Sequence, residues 1–361
     1  MEAPPYDVII VGQGLAGTAL AWKLRWSGAR VLIVDRNAAE TSSKIAAGLI
    51  TPITGQRLVV SWRLAELWSA AVAFYRRVEQ ATQTKFFRQT PMIRFLATDV
   101  ERSRFFDRTQ DLQFHALVRF PPEPAPRDDE FIDAGSAFEM LLGGQLDVPV
   151  YLRSSRAAFL EQDSLLTADL DFPNDLVLDA EIVRLPRLNV AARRIVFCQG
   201  VDAMSNPWFR KVQFKPAKGE LLTLKIPGLH ETRIVHRGIW LARIEGDHYR
   251  AGATYEWRRL DHSATPEGRA EIESRLQEFL RLPYQVVDHT AAVRPIHRNQ
   301  YPVAGFHPDE PRLGLFNGLG SKGVLQAPYF AHHLVRVLAG EELLDAEIDV
   351  NSKTDLRGCR P

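Results

Sequence analysis

Gly12, Gly14 and Gly17 stand in the spacing G-x-G-x-x-G, and Asp35 follows some 18 residues beyond the last of them. That set can hold a pyrophosphate. The first glycine permits a tight turn, the second lets backbone approach a phosphate, and the third lets a helix pack closely on a strand. The free N–H groups at the start of that helix favour negative charge. A carboxylate at position 35 can accept hydrogen bonds from ribose hydroxyls and disfavours a 2′-phosphate, which argues against NADP. A second glycine-rich turn, Asn317–Gly323 (NGLGSKG), precedes another apolar helix in the last part of the chain. Its helix N-terminus can face a negative or electron-rich group. Between the two lies Arg294, in Ala291–Pro295 (AAVRP). A guanidinium is a planar, permanently charged, bidentate partner for a carboxylate. On its own it can serve a ligand, or an ion pair at a surface or domain interface.

The elements that must carry these residues are readable in part. Val8–Val11 is a continuous apolar run that suits a strand buried on both faces. Leu15–Trp26 repeats its apolar residues at helical spacing, and Gly28 stands where the helix stops. Val31–Val34 is a second strand ending at Asp35. The βαβ unit marks a dinucleotide site without separating FAD from NAD. Asn37–Arg57 is small, hydroxyl-bearing and glycine-containing. It reads either as a surface loop or as a segment threaded along a cofactor, because small residues are needed where backbone runs beside a planar ligand.

Further on, Ser61–Gln80 reads as an amphipathic helix and Arg94–Ala97 as a short strand. Asp99–Glu139 is charged, aromatic and punctuated by proline, so it is expected in a second domain inserted into the first. Leu146–Leu160 reads as a helix capped by Asp147, and Arg193–Gly200 (RRIVFCQG) as a buried strand with Cys198 packed in the core. From Gly219 the pattern alternates. Leu221–Ile226, Ile239–Arg243 and Tyr249–Thr254 read as adjacent strands without intervening helices, hence an antiparallel sheet. A helix is predicted over Pro266–Leu282. Pro302–Gly305, Leu313–Phe316 and a helix over Leu325–Leu338 return to the first style. Asn351–Pro361 is polar and expected to fray, with Cys359 exposed.

The 361 residues are 45% hydrophobic and 25% charged with a net charge of +1. That is ordinary for a globular protein and argues against nucleic acid or an acidic membrane as the main partner. The two cysteines form no metal-spaced cluster, so neither a disulfide framework nor a structural zinc is expected. The first strand begins within about six residues, and no apolar run reaches the roughly 18 residues of a membrane span. A cytoplasmic location is the expectation.

Three features taken in order resemble the D-amino-acid-oxidase-like family of FAD-dependent oxidoreductases. They are the opening βαβ unit, Ser42–Leu49 (SSKIAAGL), and the pair AVRP…PVAG with NGLGSKG before the last helix. The resemblance spans nearly the whole chain, and Lys218–Leu222 (KGELL) is similar to a family segment leading into the substrate sheet. It implies an α/β FAD-binding Rossmann-like domain with a parallel sheet built from discontinuous segments, and an α+β substrate domain with a mainly antiparallel sheet. The expected segments are 1–90, 140–218 and 290–350 for the first, 91–139 and 219–289 for the second, and 351–361 as a polar tail.

The resemblance further implies an extended FAD. Its adenine end would lie near Asp35, with Ser42–Leu49 running beside the pyrophosphate and flavin, and the cofactor-binding residues would include Gly12, Gly14, Leu15, Ala16, Gly17, Arg36, Ser42, Ser43, Leu170, Cys198 and Gly200. The flavin would lie between Ala46, Ala47, Gly48 and Leu49 on one side and Gly318, Leu319, Gly320, Ser321, Lys322 and Gly323 on the other. Arg294 falls on the family arginine that binds a substrate carboxylate. The turn often carries an arginine, histidine or aromatic in relatives; here it offers Ser321 and Lys322. Trp240 and Arg243 stand on the strand that bears substrate-binding tyrosines in relatives, where they would alter pocket size and charge, although Trp240 also suits core packing. With no cysteine near the C-terminal motifs, FAD is expected to bind non-covalently.

The expected reaction is oxidation of an amine next to a carboxylate, in a small amino or imino acid, by hydride transfer to flavin N5 and hydrolysis of the imine. Such chemistry needs positioning more than a side-chain base. Alternatives are oxidative removal of a carboxymethyl group from a modified tRNA base, for which Arg76, Arg77, Arg88 and Arg94 would form a basic stripe, and a flavin-binding protein without amine oxidase activity.

Overall fold

The computed structural model describes residues 4–360; residues 1–3 and 361, at the outer ends of the expected first segment and polar tail, lie outside the described residues. The strand Tyr6–Val11 pairs in parallel with Val31–Asp35 on one side and Val190–Phe197 on the other. Leu165–Thr167 extends the sheet beyond the former and Leu313–Asn317 beyond the latter, again in parallel, and Val303–Phe306 adds an antiparallel edge. Strands from the start, middle and last part of the chain therefore share one sheet, as expected from their similar apolar character.

Side chains alternate along a strand, so Val8 and Ile10 face one way and Ile9 and Val11 the other. Each face has its own core. The first is covered by the helices Leu15–Trp26, Leu64–Thr82, Val148–Leu160 and Gly323–Leu338. Leu67, Ala71, Phe74, Tyr75 and Val78 form the buried stripe of the second of these. Asp147 accepts the Val150 N–H at 3.0 Å and starts the third, as its type predicts, while the residues just before it form a strand, Gly144–Leu146.

The other face corrects an expectation. The segment past 350 is not a frayed polar tail among the described residues. A short helix, Val350–Lys353, leads to Leu356 and Cys359, both fully buried in the second core. Cys359 is thus an inward-facing core residue rather than an exposed one. The apolar side chains that do this work are too few to show against a polar background.

The second sheet has eight strands, in the order Gln285–Arg294, Ala217–Lys225, His248–Gly252, Ile239–Glu245, Ile234–Arg237, Met92–Phe95, Ala137–Met140 and Val118–Arg119. Ile234–Arg237 against Met92–Phe95 is the one parallel pairing within it among the described residues. The expected breaks at 219 and 290 fall inside Ala217–Lys225 and Gln285–Arg294, which pair along their lengths. The helix predicted to 282 ends at Gln277. Among the described residues, no helix is long and apolar enough to cross a membrane.

Burial of Leu356 makes a measurable claim. Leu356→Ala should lower unfolding free energy by about 2–5 kcal/mol in denaturant titration; a change within about 0.5 kcal/mol would mean that the 350–360 segment does not dock on this core in solution.

Candidate functional site

The two glycine-rich turns meet. Leu15, the first residue of the helix Leu15–Trp26, lies against Gly323, the first residue of Gly323–Leu338; a Cβ on Gly323 would stand 3.0 Å from Leu15 Cδ1. Both helix starts open into a single cleft of about 520 Å³ that runs from Asp35 to the face of the antiparallel sheet.

At the first end, backbone packs where no side chain fits. A Cβ on Gly12 would lie 2.5 Å from the Cys198 carbonyl oxygen, and Gly12 has φ +104°, a region glycine enters freely. A Cβ on Gly17 would overlap the Gly12 carbonyl oxygen. Gly12, Gly14, Leu15 and Ala16 line the cleft, while Gly17 supports it from behind. Asp35 lines it too, and its carboxylate accepts the N–H groups of Gln13 at 2.9 Å and Asn37 at 2.8 Å, with Arg156 at 3.3 Å. Arg36 pairs with Asp202 at 2.7 Å beside it.

The segment after Asp35 runs along the cleft, with residues 41–51 among those that line it. Thr41 caps a single turn, Ser42–Ile45. Ser43 Oγ accepts the Leu15 N–H at 3.1 Å. The Arg250 guanidinium holds the Ala46 carbonyl at 3.2 Å. Gly48 exchanges backbone so closely with Leu146 that a Cβ would overlap the Leu146 carbonyl oxygen. Ser42, Ser43, Ala46, Ala47, Gly48 and Leu49 all line the wall, opposite Leu170, Cys198 and Gly200. Cys198 is a packed residue whose burial pushes its thiol well above the usual range.

At the second end, Leu319, Gly320, Ser321, Lys322 and Gly323 line the cleft. Gly318 sits behind them, packed on His297 and Val303. His297 is buried and bonded to Asn299, so it supports the turn. Burial lowers the Lys322 ammonium from its ordinary range.

The antiparallel sheet roofs this end with one face. Arg94, His236, Trp240 and Gly252 are cross-strand neighbours in register, and Leu221 pairs with Gly252. Arg294 shares that face and lies across Gly219, where a Cβ would overlap its guanidinium. Its Nη1 donates to the Thr254 carbonyl at 3.3 Å, the Tyr255 ring lies 4.5 Å away, and no carboxylate is within ion-pair distance among the described residues. Burial lowers its pKa.

Arg243 is the exception among the expected residues. It lies three positions from Trp240 on Ile239–Glu245, hence on the opposite face, and its Nε donates to the Gly246 carbonyl away from the cleft. The basic stripe is dispersed as well. Arg76 pairs with Glu79, Arg77 covers the Trp26 ring, Arg88 bonds Gln145, and of the four only Arg94 lines the cleft. His236, Tyr255 and Gly219 went unnoticed in the sequence. Gly219 and Tyr255 meet Arg294, and His236 joins it on the same face four strands away, through contacts between segments far apart in the chain.

An extended cleft with two helix starts and glycines where Cβ atoms would collide fits a dinucleotide with a planar ring system. A family model described as FAD dependent oxidoreductase (DAO) matches residues 7–337. The bifunctional protein MnmC of tRNA 5-methylaminomethyl-2-thiouridine biosynthesis from Marinobacter nauticus is 26% identical over 357 residues, covering 91% of this chain and 54% of that protein. The chain thus spans about half the length of the first curated relatives it matches. A glycine oxidase from Pseudomonas aeruginosa is 22% identical over 353 residues, covering 93% and 95%. The crystal structure of glycine oxidase from Geobacillus kaustophilus superposes with a TM-score of 0.79 at 18% identity, covering 94% of this chain and 96% of that one. The chain belongs to the DAO family of FAD-dependent oxidoreductases.

Proposed function

We propose that the cleft oxidises an amine at a carbon next to a carboxylate, in an amino acid or N-substituted glycine. The observation that carries this reading is Arg294, a largely buried guanidinium on the cleft wall with no acidic partner among the described residues. A buried unpaired charge is costly, and a ligand carboxylate supplies the missing partner. Segments 1–90, 140–218 and 290–350 are assigned to the cofactor and 91–139 and 219–289 to the substrate, apart from the strand ends noted above.

The glycine-rich turns and the Ser42–Leu49 wall would hold FAD non-covalently, and FAD would supply the two-electron oxidising capacity for hydride loss from the substrate's α-carbon. The rest falls to positioning by the chain. Arg294 fixes the carboxylate, and Tyr255 stacked on the guanidinium limits its movement. Gly219 leaves the space the arginine needs. Trp240, Leu49 and Leu221 line the same end with apolar surface that excludes water and strengthens the charge pairing. Lys322 and the open N–H groups at the start of Gly323–Leu338 favour negative charge on the flavin ring. Loss of the amine proton leaves an imine, which water splits into an oxo acid and an amine.

Arg294→Ala should weaken carboxylate substrates by about 2–5 kcal/mol in kcat/KM while flavin content is retained; an effect below tenfold would remove Arg294 from the site. Gly219→Ala should act on the same property by displacing the guanidinium, read as a matching loss of affinity for a carboxylate inhibitor in calorimetry. Unchanged affinity would show that the guanidinium does not depend on that space.

A second reading rests on the MnmC relatives: removal of a carboxymethyl group from the amine of a modified tRNA base. It predicts binding of tRNA that weakens steeply as salt rises. The dispersal of Arg76, Arg77 and Arg88 away from the cleft favours the small-molecule reading, for which tRNA binding should be undetectable by filter retention at physiological salt.

A further inference from the structure

The roof of the cleft carries a second polar group on the face that bears Arg294. His236 and Arg94 are register partners on neighbouring strands, and both line the cleft. Arg94 is 3% exposed. Its Nη2 donates to the Gly55 carbonyl at 2.9 Å and stands 3.5 Å from Glu101 Oε1, whose other oxygen accepts the Ala97 N–H. Arg94 Nε and His236 Nδ1 are buried without a hydrogen-bond partner. Buried polar groups are rarely left so unless something else meets them. Burial and the neighbouring guanidinium push the His236 imidazole down to about 3, so it is neutral at physiological pH and can donate one hydrogen bond without carrying charge.

The distribution of charge along the cleft points the same way. The acidic residues that line it are Asp35, Asp169 and Asp202. Asp202 pairs with Arg36, and Ala168, next to Asp169, bonds the Asp35 carbonyl, so all three sit at the Asp35 end of the cleft. The roof end carries Arg94, Arg294 and Lys322 and no acidic lining residue among those described. Glu101 balances Arg94 only through its 3.5 Å contact.

Distance separates the two cationic positions. Four strand-to-strand steps of about 4.8 Å, roughly 19 Å of roof, lie between the strand of His236 and that of Arg294. Arg294 recovers one step by lying across Gly219. Trp240, Gly252 and Leu221 lie under the interval in register, and of the three only Gly252 brings no side chain. A substrate of glycine's size held at Arg294 leaves His236 untouched.

We infer that the site is built for an amine carrying two carboxylates, one beside the oxidised carbon at Arg294 and a second, on the far side of the amine, received by His236 with Arg94 behind it. This rests on the reading of Arg294 given above. His236 donates to the second carboxylate, and Arg94 supplies the opposing charge. Specificity then lies in the far pocket, because the group being oxidised is the same in every member of the substrate class.

The test is calorimetric binding to the flavin-loaded protein of a series of unbranched dicarboxylates, from malonate to suberate, each against the monocarboxylate of equal carbon number. At least one dicarboxylate should bind tenfold or more tightly than its monocarboxylate counterpart. His236→Phe should reduce that preference to threefold or less, and Arg94→Gln should do the same. The comparison on the unaltered protein needs no variant, so misfolding of Arg94→Gln cannot shield the inference. Equal affinity across every pair would overturn it, as would a preference that survives His236→Phe. Arg294→Ala separates this from the broader reading. If monocarboxylates bind through Arg294 while no dicarboxylate gains, only the second pocket is wrong. If Arg294→Ala leaves every affinity unchanged, the carboxylate reading falls first.

Discussion

At the base of the cleft two glycines meet backbone with no space for a side chain between, and a third meets a leucine side chain. Gly12 lies against the Cys198 carbonyl, Gly17 against Gly12, and Gly323 against Leu15. These contacts set the distance between the first strand, the first helix and the C-terminal helix, and that distance is the cleft. The apolar packing around them is plentiful and tolerant. The contacts of Gly12 and Gly17 are neither, because there even one added carbon moves an element rather than a rotamer. The rest of the molecule, including the sheet that roofs the far end, is arranged on that frame.

The roof contributes what the frame lacks. A parallel sheet buried on both faces has little to offer a polar ligand except its strand ends. The antiparallel sheet instead spends one face on its own core, with Leu222, Leu224, Leu241 and Tyr249, and turns the other towards the cleft. Alternation therefore separates residues by function without separating them in sequence. Trp240 lines the cleft while its neighbour Leu241 is core.

Local features were legible in the sequence, and cross-strand ones were not. The βαβ unit could be read because its glycines, helix and terminal acid lie within one short stretch. The Asp147 cap could be read for the same reason. Arg294 acquired a meaning only from its family resemblance, since an arginine before a proline says nothing by itself. His236 and Arg94 could not be linked, because nothing local records which strands become neighbours. Arg243 went wrong through a simple parity error: three residues along a strand is an odd step, and it lands on the other face. The C-terminal segment misled for a different reason. Its composition is polar, yet Leu356 and Cys359 stand three apart and suffice to anchor it.

The contact between Leu15 and Gly323 also sets an order of assembly. Leu15–Trp26 leaves the ribosome before Gly323–Leu338, the helix that closes its site, and most of the strands are made between the two. Until then the apolar surface that Val324, Leu325 and Phe330 cover stays open to water or to a chaperone. Loop closure over so long an interval is slow, and the pairing of Val190–Phe197 with both Tyr6–Val11 and Leu313–Asn317 makes the parallel sheet a late product too. Between the making of Leu15–Trp26 and that of Gly323–Leu338 the cradle therefore has only one of its two helix starts.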